Sequence, residues 1–267
     1  MAGPTAAQER ARRPYRSEKW LAGGPGRFAP EARTRLFCFA HAGGGTALFR
    51  PWRTALAPDI DVCPVLLPGR ESRLHELPYR RVEQLLDPLC EVLSGHLDRP
   101  YAFFGHSMGS VVAYEVARRF TGGPFGGPLA LVVSGRRAPQ LPSQRRMFSM
   151  LPDEAFLAEL SALNGTPVEV LGQPQLLEAF LPALRADFEL NELYQPLPGP
   201  RLSCPVVAYM GADDPEVDCV ELAGWHETTG DRFTLRVLAG DHFYLKDGRP
   251  DVVRHLREDL GQSAARR

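Results

Sequence analysis

The chain has 267 residues, 31 lysines and arginines against 32 aspartates and glutamates for a formal net charge of -1, and 44% hydrophobic side chains. That length and apolar content suit one main α/β domain with insertions, and the balanced charge leaves no overall field to draw the protein to nucleic acid or to an anionic membrane. No run approaches the ~18 apolar residues of a membrane-spanning helix.

Residues 1–30 are rich in Arg, Gly, Ala and Pro and lack a continuous apolar stretch, so they read as a flexible leader and not an export signal. The expectation is a cytoplasmic monomer. RLFCFAH (35–41) predicts the first strand, and TALFRPWRTALA (46–57), after a run of glycines, the first helix. DVCPVLLPG (61–69) predicts the second strand. Within 81–97, Val82, Leu85, Leu86, Leu89, Val92, Leu93 and Leu97 recur at helical spacing. YAFFGH (101–106) is the next strand, and SVVAYEVARRF (110–120) the helix that follows it.

Further strands are predicted at PLALVVSG (128–135), CPVVAYMG (204–211) and RFTLRVLAG (232–240), each closing on a glycine, with PDVVRHLREDL (250–260) as the last helix. Near-continuous apolar strands alternating with helices predict a mostly parallel sheet covered on both faces. One stretch breaks the alternation: 139–200 holds only helical segments between prolines. An all-helical insertion where such sheets build their sites reads as a lid, its rival reading being a plain pair of surface helices. The organisation is then a leader (1–30), a core in two parts (31–138 and 201–262), a lid (139–200) and a tail (263–267).

Five cysteines, Cys38, Cys63, Cys90, Cys204 and Cys219, show no C-x-x-C spacing and no paired spacing with histidines. They are expected to be buried free thiols, with no zinc or other metal.

Gly105-His106-Ser107-Met108-Gly109 fits G-x-S-x-G between a strand run and a helical run. In that context Ser107 is a nucleophile on a strained strand-to-helix turn, its small neighbours letting strand and helix approach. The Met108 N–H at the helix start would donate to an oxyanion. A serine hydroxyl needs a histidine base and a carboxylate to orient it, and chain order Ser, acid, His places these after later strands. His242 is the base, because His226 and His255 fall inside helical runs. The acid is Asp214 or Asp213; Asp214 stands third after the strand-ending glycine with Pro215 behind it, and the other aspartate would cap the next helix. HAGGG (41–45) lacks side-chain bulk, and the Ala42 N–H is the second oxyanion donor. No G-K-[ST] or G-x-G-x-x-G supports a phosphate-binding reading.

With those residues in place, the blocks FAHAGGGTALFRPW, LLPGRESR, FGHSMGSVVAYEVA, LNGTPVEVL, LRADFELNELY, MGADDPEV and LAGDHFYL resemble, in order and spacing over about 33–260, those of an α/β-hydrolase thioesterase. The kind resembled is the stand-alone, type II one of polyketide and nonribosomal peptide synthases. The resemblance implies an α/β-hydrolase fold with a helical lid. It also implies that Ser107 is acylated from a phosphopantetheine arm, that His242 activates water, and that Asp214 orients His242. The Met108 and Ala42 amides would hold the oxyanion, and no cofactor enters. The implied partners are acyl or peptidyl carrier domains, and the implied task is editing of stalled or aberrant chains, with chain release the less frequent one.

Two regional expectations follow. Leu177, Phe180, Leu181, Leu184 and Phe188 either line an acyl channel or pack the lid onto the core. Carrier domains are generally acidic, so Arg136, Arg137, Arg145 and Arg146 are a candidate docking patch, or else solvated surface. The rival functions are a carboxylesterase or lipase acting on oxygen esters, since the same acyl-enzyme serves both leaving groups, and a non-catalytic protein that docks on a synthase.

Overall fold

In the computed structural model, which describes residues 17–27, 29–143, 146–162 and 174–265, the apolar runs lie side by side. Strands β1 (Thr34–Phe39), β2 (Ile60–Pro64), β3 (Tyr101–His106), β4 (Leu131–Ser134), β5 (Val206–Gly211) and β6 (Phe233–Leu238) form one sheet in the order β2-β1-β3-β4-β5-β6. Every neighbouring pair is parallel. All residues of β1 to β5 are buried, as a sheet covered on both faces requires. β6, at the edge, is only half-buried.

Alternate residues serve opposite faces. Phe37, Phe39 and Phe103 pack on one side against helices α3 (Val82–Ser94) and α4 (Met108–Phe120). Leu36, Cys38, Ala102 and Phe104 pack on the other against α2 (Arg50–Leu56) and α8 (Pro250–Ala264). The predicted helix at 46–57 opens as a 3-10 turn, Thr46–Phe49, before α2 begins.

Among the described residues, the segment between β4 and β5 carries no strand; it holds α5 (Asp153–Ala162) and α6 (Pro174–Glu192). Its apolar residues make a separate cluster of Phe156, Leu160 and Leu184, with Phe148, Phe180, Leu181 and Phe188 partly buried against it. The short α7 (Cys219–Ala223) follows β5. Cys38, Cys63, Cys90 and Cys204 are buried free thiols, but Cys219, on the exposed side of α7, is not buried. Among the described residues no helix is long and apolar enough to cross a membrane.

The flexible leader is corrected in its second half. Helix α1 (Ser17–Trp20) leads into Trp20 and Leu21, which are 2% and 1% exposed. Leu21 bridges Val65 in antiparallel fashion, the Leu66 N–H donates to the Trp20 carbonyl at 2.7 Å, and the Arg73 guanidinium lies 4.1 Å over the Trp20 ring. Two apolar residues inside a Gly- and Arg-rich stretch suffice to dock it. Trp20→Ala is accordingly expected to cost about 3–5 kcal/mol of stability, as core aromatic truncations do. Urea unfolding checks this, and an unchanged midpoint would remove the segment from the core.

Candidate active site

Ser107 joins β3 to α4 at φ 54°, ψ -120°, a backbone conformation that side-chain-bearing residues rarely hold. Hydrogen bonds on both sides hold it there: its N–H donates to the Ser134 carbonyl at 2.7 Å, and its carbonyl accepts from the Ser110 N–H at 2.9 Å. The buried Ser110 hydroxyl donates to the Gly105 carbonyl at 2.8 Å and accepts from the Ser134 N–H at 3.1 Å. A Cβ on Gly105 would stand 2.2 Å from the Gly109 carbonyl oxygen, and one on Gly109 would stand 2.2 Å from that of Phe39. Both glycines of the motif are therefore required by the close approach of β3, α4 and β1.

The other two candidates come from the loops after β5 and β6. A Cβ on Gly211 would meet the Gly240 and Asp241 carbonyl oxygens at 2.3 Å, so these loops are in direct backbone contact. Across them the Asp214 carboxylate accepts from His242 Nδ1, at 3.0 Å to Oδ1 and 2.9 Å to Oδ2. The Asp214 side chain is fully buried, and Oδ1 also accepts from the Glu216 N–H at 2.7 Å. With Nδ1 facing the carboxylate, the neutral ring carries its lone pair on Nε2. His242 and Ser107 line the same cleft. Asp213 is exposed, its N–H bonded to the Gly240 carbonyl. It does not cap the next helix as expected: Asp218 does, accepting from the Glu221 N–H at 2.7 Å in a reciprocal capping box.

Met108 opens α4, and Ala42 lies in the loop after β1. Among the described residues no acceptor takes up either N–H. No group of three His, Cys, Asp or Glu side chains among the described residues could hold a metal ion.

Behind His242 lies a layer that the sequence reading missed, because it weighed only histidines after Ser107. The His106 ring is 5.1 Å from that of His242 and 5.7 Å from that of His41, and Phe243 closes on His41 at 5.3 Å. His106 Nδ1 bonds the Ser134 hydroxyl at 2.9 Å, which bonds the Tyr244 hydroxyl at 2.6 Å. Both histidines sit inside motif blocks, the one signal that could have drawn notice to them. Burial first, then the neighbouring His242, pushes His41 down from 6.5 to about 3 and His106 well below the ordinary imidazole range.

The arginines separate. Arg136 is 8% exposed, lines the cleft beside Ser107, donates to the Asn191 carbonyl at 3.3 Å, and is pushed down to about 9 by burial. It is thus corrected from surface patch to cleft wall: two residues after the end of β4, it is buried against the end of α6. Arg137, half-buried, donates to the Leu141 carbonyl at 3.2 Å. Arg146 is exposed and 4.0 Å from Glu159, and Arg145 lies outside the described residues. Of the lid residues, Phe188 lines the cleft, while Leu184, 6% exposed, meets Gly43. Phe180 and Leu181 stay in the lid cluster, and Leu177 is half-buried outside it.

The depressed histidines give a pH prediction. As pH falls below 6.5 the unfolded chain takes up protons that folded His41 and His106 refuse, so their stabilisation is full above 6.5 and is lost on the way down toward about 3. His41→Gln should remove about 1–2 kcal/mol of the stability lost between about pH 7 and 5. Urea unfolding at the two pH values reads this; an identical loss in the variant would contradict it.

Residues 34–260 match the Thioesterase domain family. Gramicidin S biosynthesis protein GrsT of Aneurinibacillus migulanus is 37% identical over 229 residues, 86% of this chain and 90% of that protein. Thioesterase PikA5 of Streptomyces venezuelae is 38% identical over 237 residues, 87% of this chain and 83% of that protein. Among solved structures, the type II thioesterase BorB from the borrelidin biosynthetic cluster is similar at a TM-score of 0.80 and 38% identity, covering 92% of this chain and 98% of that chain. With the serine elbow and both loops of the Asp214–His242 pair inside the matched span, the chain belongs to the thioesterase family, is similar to the type II members of polyketide and nonribosomal peptide pathways, and is a serine hydrolase of thioesters.

Proposed function

We propose that the enzyme hydrolyses acyl thioesters carried on the phosphopantetheine arms of acyl or peptidyl carrier domains, clearing stalled or aberrant chains in polyketide or nonribosomal peptide biosynthesis. The observation that carries the chemistry is one cleft lined by Ser107, on a left-handed backbone, and by His242, whose far nitrogen is bonded to a buried Asp214. The pathway is supported by likeness to BorB and to GrsT. The reaction proceeds in the cytoplasm, by a monomer, without a cofactor.

In this reading Ser107 Oγ attacks the thioester carbon as its proton passes to His242 Nε2. The oxyanion is met by the Met108 and Ala42 N–H groups, which have no other acceptor among the described residues. The C–S bond then breaks, and the leaving sulfur takes the proton from His242. Water adds to the acyl-enzyme, gives a proton to the same nitrogen, and the released acid leaves Ser107 reprotonated. Asp214 keeps the ring in the tautomer this requires.

Asp214→Asn is expected to lower kcat by about three to four orders of magnitude, as loss of the orienting carboxylate does, and Asp213→Asn by less than about threefold. Equal losses would unseat Asp214.

Leu177, Phe180, Leu181, Leu184 and Phe188 form the acyl channel in this reading, supported by Phe188 in the cleft wall and Leu184 over the loop after β1. Leu184→Trp should shorten the preferred acyl chain, and an unchanged chain-length profile on a series of small thioesters would withdraw the channel. Docking falls to Arg137, Arg145 and Arg146, with Arg136 inside the cleft. Joint Arg145→Glu and Arg146→Glu substitution should raise KM for carrier-bound substrate and leave KM for a small thioester unchanged; equal shifts would remove the docking role.

The central test loads a panel of acyl groups on a phosphopantetheinylated carrier domain and follows release by intact-protein mass, with Ser107→Ala as control. Serine-dependent release faster than cleavage of the matching small oxygen ester supports the proposal. Brisk ester hydrolysis with no carrier release would point to an esterase, and inactivity on both to a docking protein.

A further inference from the structure

Three features of the motif blocks take no direct part in the acyl-transfer steps: Gly43 and Gly44 after β1, Arg70 in the loop after β2, and Asp187 in α6. The fold brings them to one point. Asp187, 2% exposed, accepts a two-pronged pair from the Arg70 guanidinium, Nη2 to Oδ1 at 2.7 Å and Nη1 to Oδ2 at 2.8 Å. The same Oδ2 accepts from the Gly43 N–H at 2.7 Å, and Arg70 Nη1 also donates to the Gly44 carbonyl at 3.1 Å. Gly43 stands at φ 73°, where a Cβ would lie 2.3 Å from Leu184 Cδ2, so the residue one turn before Asp187 closes on the same peptide. On the far side of the loop the Glu71 carboxylate accepts from the Thr46 N–H and hydroxyl, each at 2.6 Å.

A buried ion pair is a weak source of net stability compared with apolar residues of the same shape. What it supplies is direction: charge-assisted, two-pronged bonds hold an acceptor in one place. Here the held acceptor faces a backbone N–H, and the peptide it fixes, Ala42–Gly43, is the immediate neighbour of the Ala42 N–H. Oxyanion donors act only when preorganised to within a fraction of an ångström.

We infer that Asp187 is a positioning residue: from lid helix α6 it fixes the Ala42–Gly43 peptide and so aims the Ala42 N–H at the oxyanion. Seating of the lid helix thereby becomes a condition for a formed oxyanion site. The inference rests on the proposed role of Ala42 and adds the device that holds it.

The test is Asp187→Asn, which keeps the shape and removes the charge. kcat on an acyl-N-acetylcysteamine thioester should fall about 10–100-fold, with KM changed by less than about threefold. The discriminating readout is inhibition by a trifluoromethyl ketone, whose adduct with Ser107 carries the oxyanion, against the matching methyl ketone. The Ki of the first should rise by the factor lost in kcat while that of the second stays put, a split that mere loss of packing does not produce. A folded variant with unchanged kcat and unchanged ketone ratio overturns the inference. Should Asp187→Asn not fold, Arg70→Lys keeps the charge and loses the fork; the same parallel shift, about tenfold, is expected, and wild-type kinetics overturn the inference. Ser107→Ala separates the two levels: if it still hydrolyses the thioester, the reading of the site itself fails, whereas an inert Ser107→Ala beside an unaffected Asp187→Asn removes only the positioning role.

Discussion

A serine at φ 54° between a strand and a helix can exist only where the surrounding backbone leaves no alternative. Here β1 presses on Gly109, α4 presses on Gly105, and the Ser134 carbonyl at the end of β4 takes the Ser107 N–H. Three parallel strands in register are needed to make that frame, and each is buried on both faces. The same frame gives the helix start its N–H without an acceptor among the described residues and places Ser107 in the wall of the cleft that His242 shares. Most of the fold can be understood as what keeps this one turn strained.

Electrostatics inside the frame are arranged by burial more than by pairing. Burial holds His41 and His106 neutral next to His242, the imidazole of this cluster that has a carboxylate bonded to its Nδ1. Two further buried charged groups near the site, Arg70 and Asp187, are matched to each other and aimed at backbone. The lid is thus bonded to the loop after β1 as well as packed on it.

Features encoded by neighbours in the chain were legible in the sequence. The elbow showed in five consecutive residues, the sheet in runs whose burial on both faces demands apolar residues at every position, and the choice of Asp214 in the short step from the strand-ending glycine. Features made by distant residues were not. Asp187 and Arg70 are 117 positions apart, and neither position announces the other. The docking of Trp20 and Leu21 was hidden by the flexible composition around them, and the burial of Arg136 by a residue type usually found outside. Asp218, not Asp213, capped α7 because the capping box needed Glu221 three residues on.

In the proposed mechanism Ser107 is a nucleophile activated through His242. Its most direct measurement is phosphonylation by a fluorophosphonate, with the adduct mapped by peptide mass and the rate compared between the wild-type enzyme and His242→Ala. A single adduct on Ser107, formed at least about a thousandfold more slowly without His242, is the predicted result. An adduct at another residue, or a rate indifferent to His242, would contradict it.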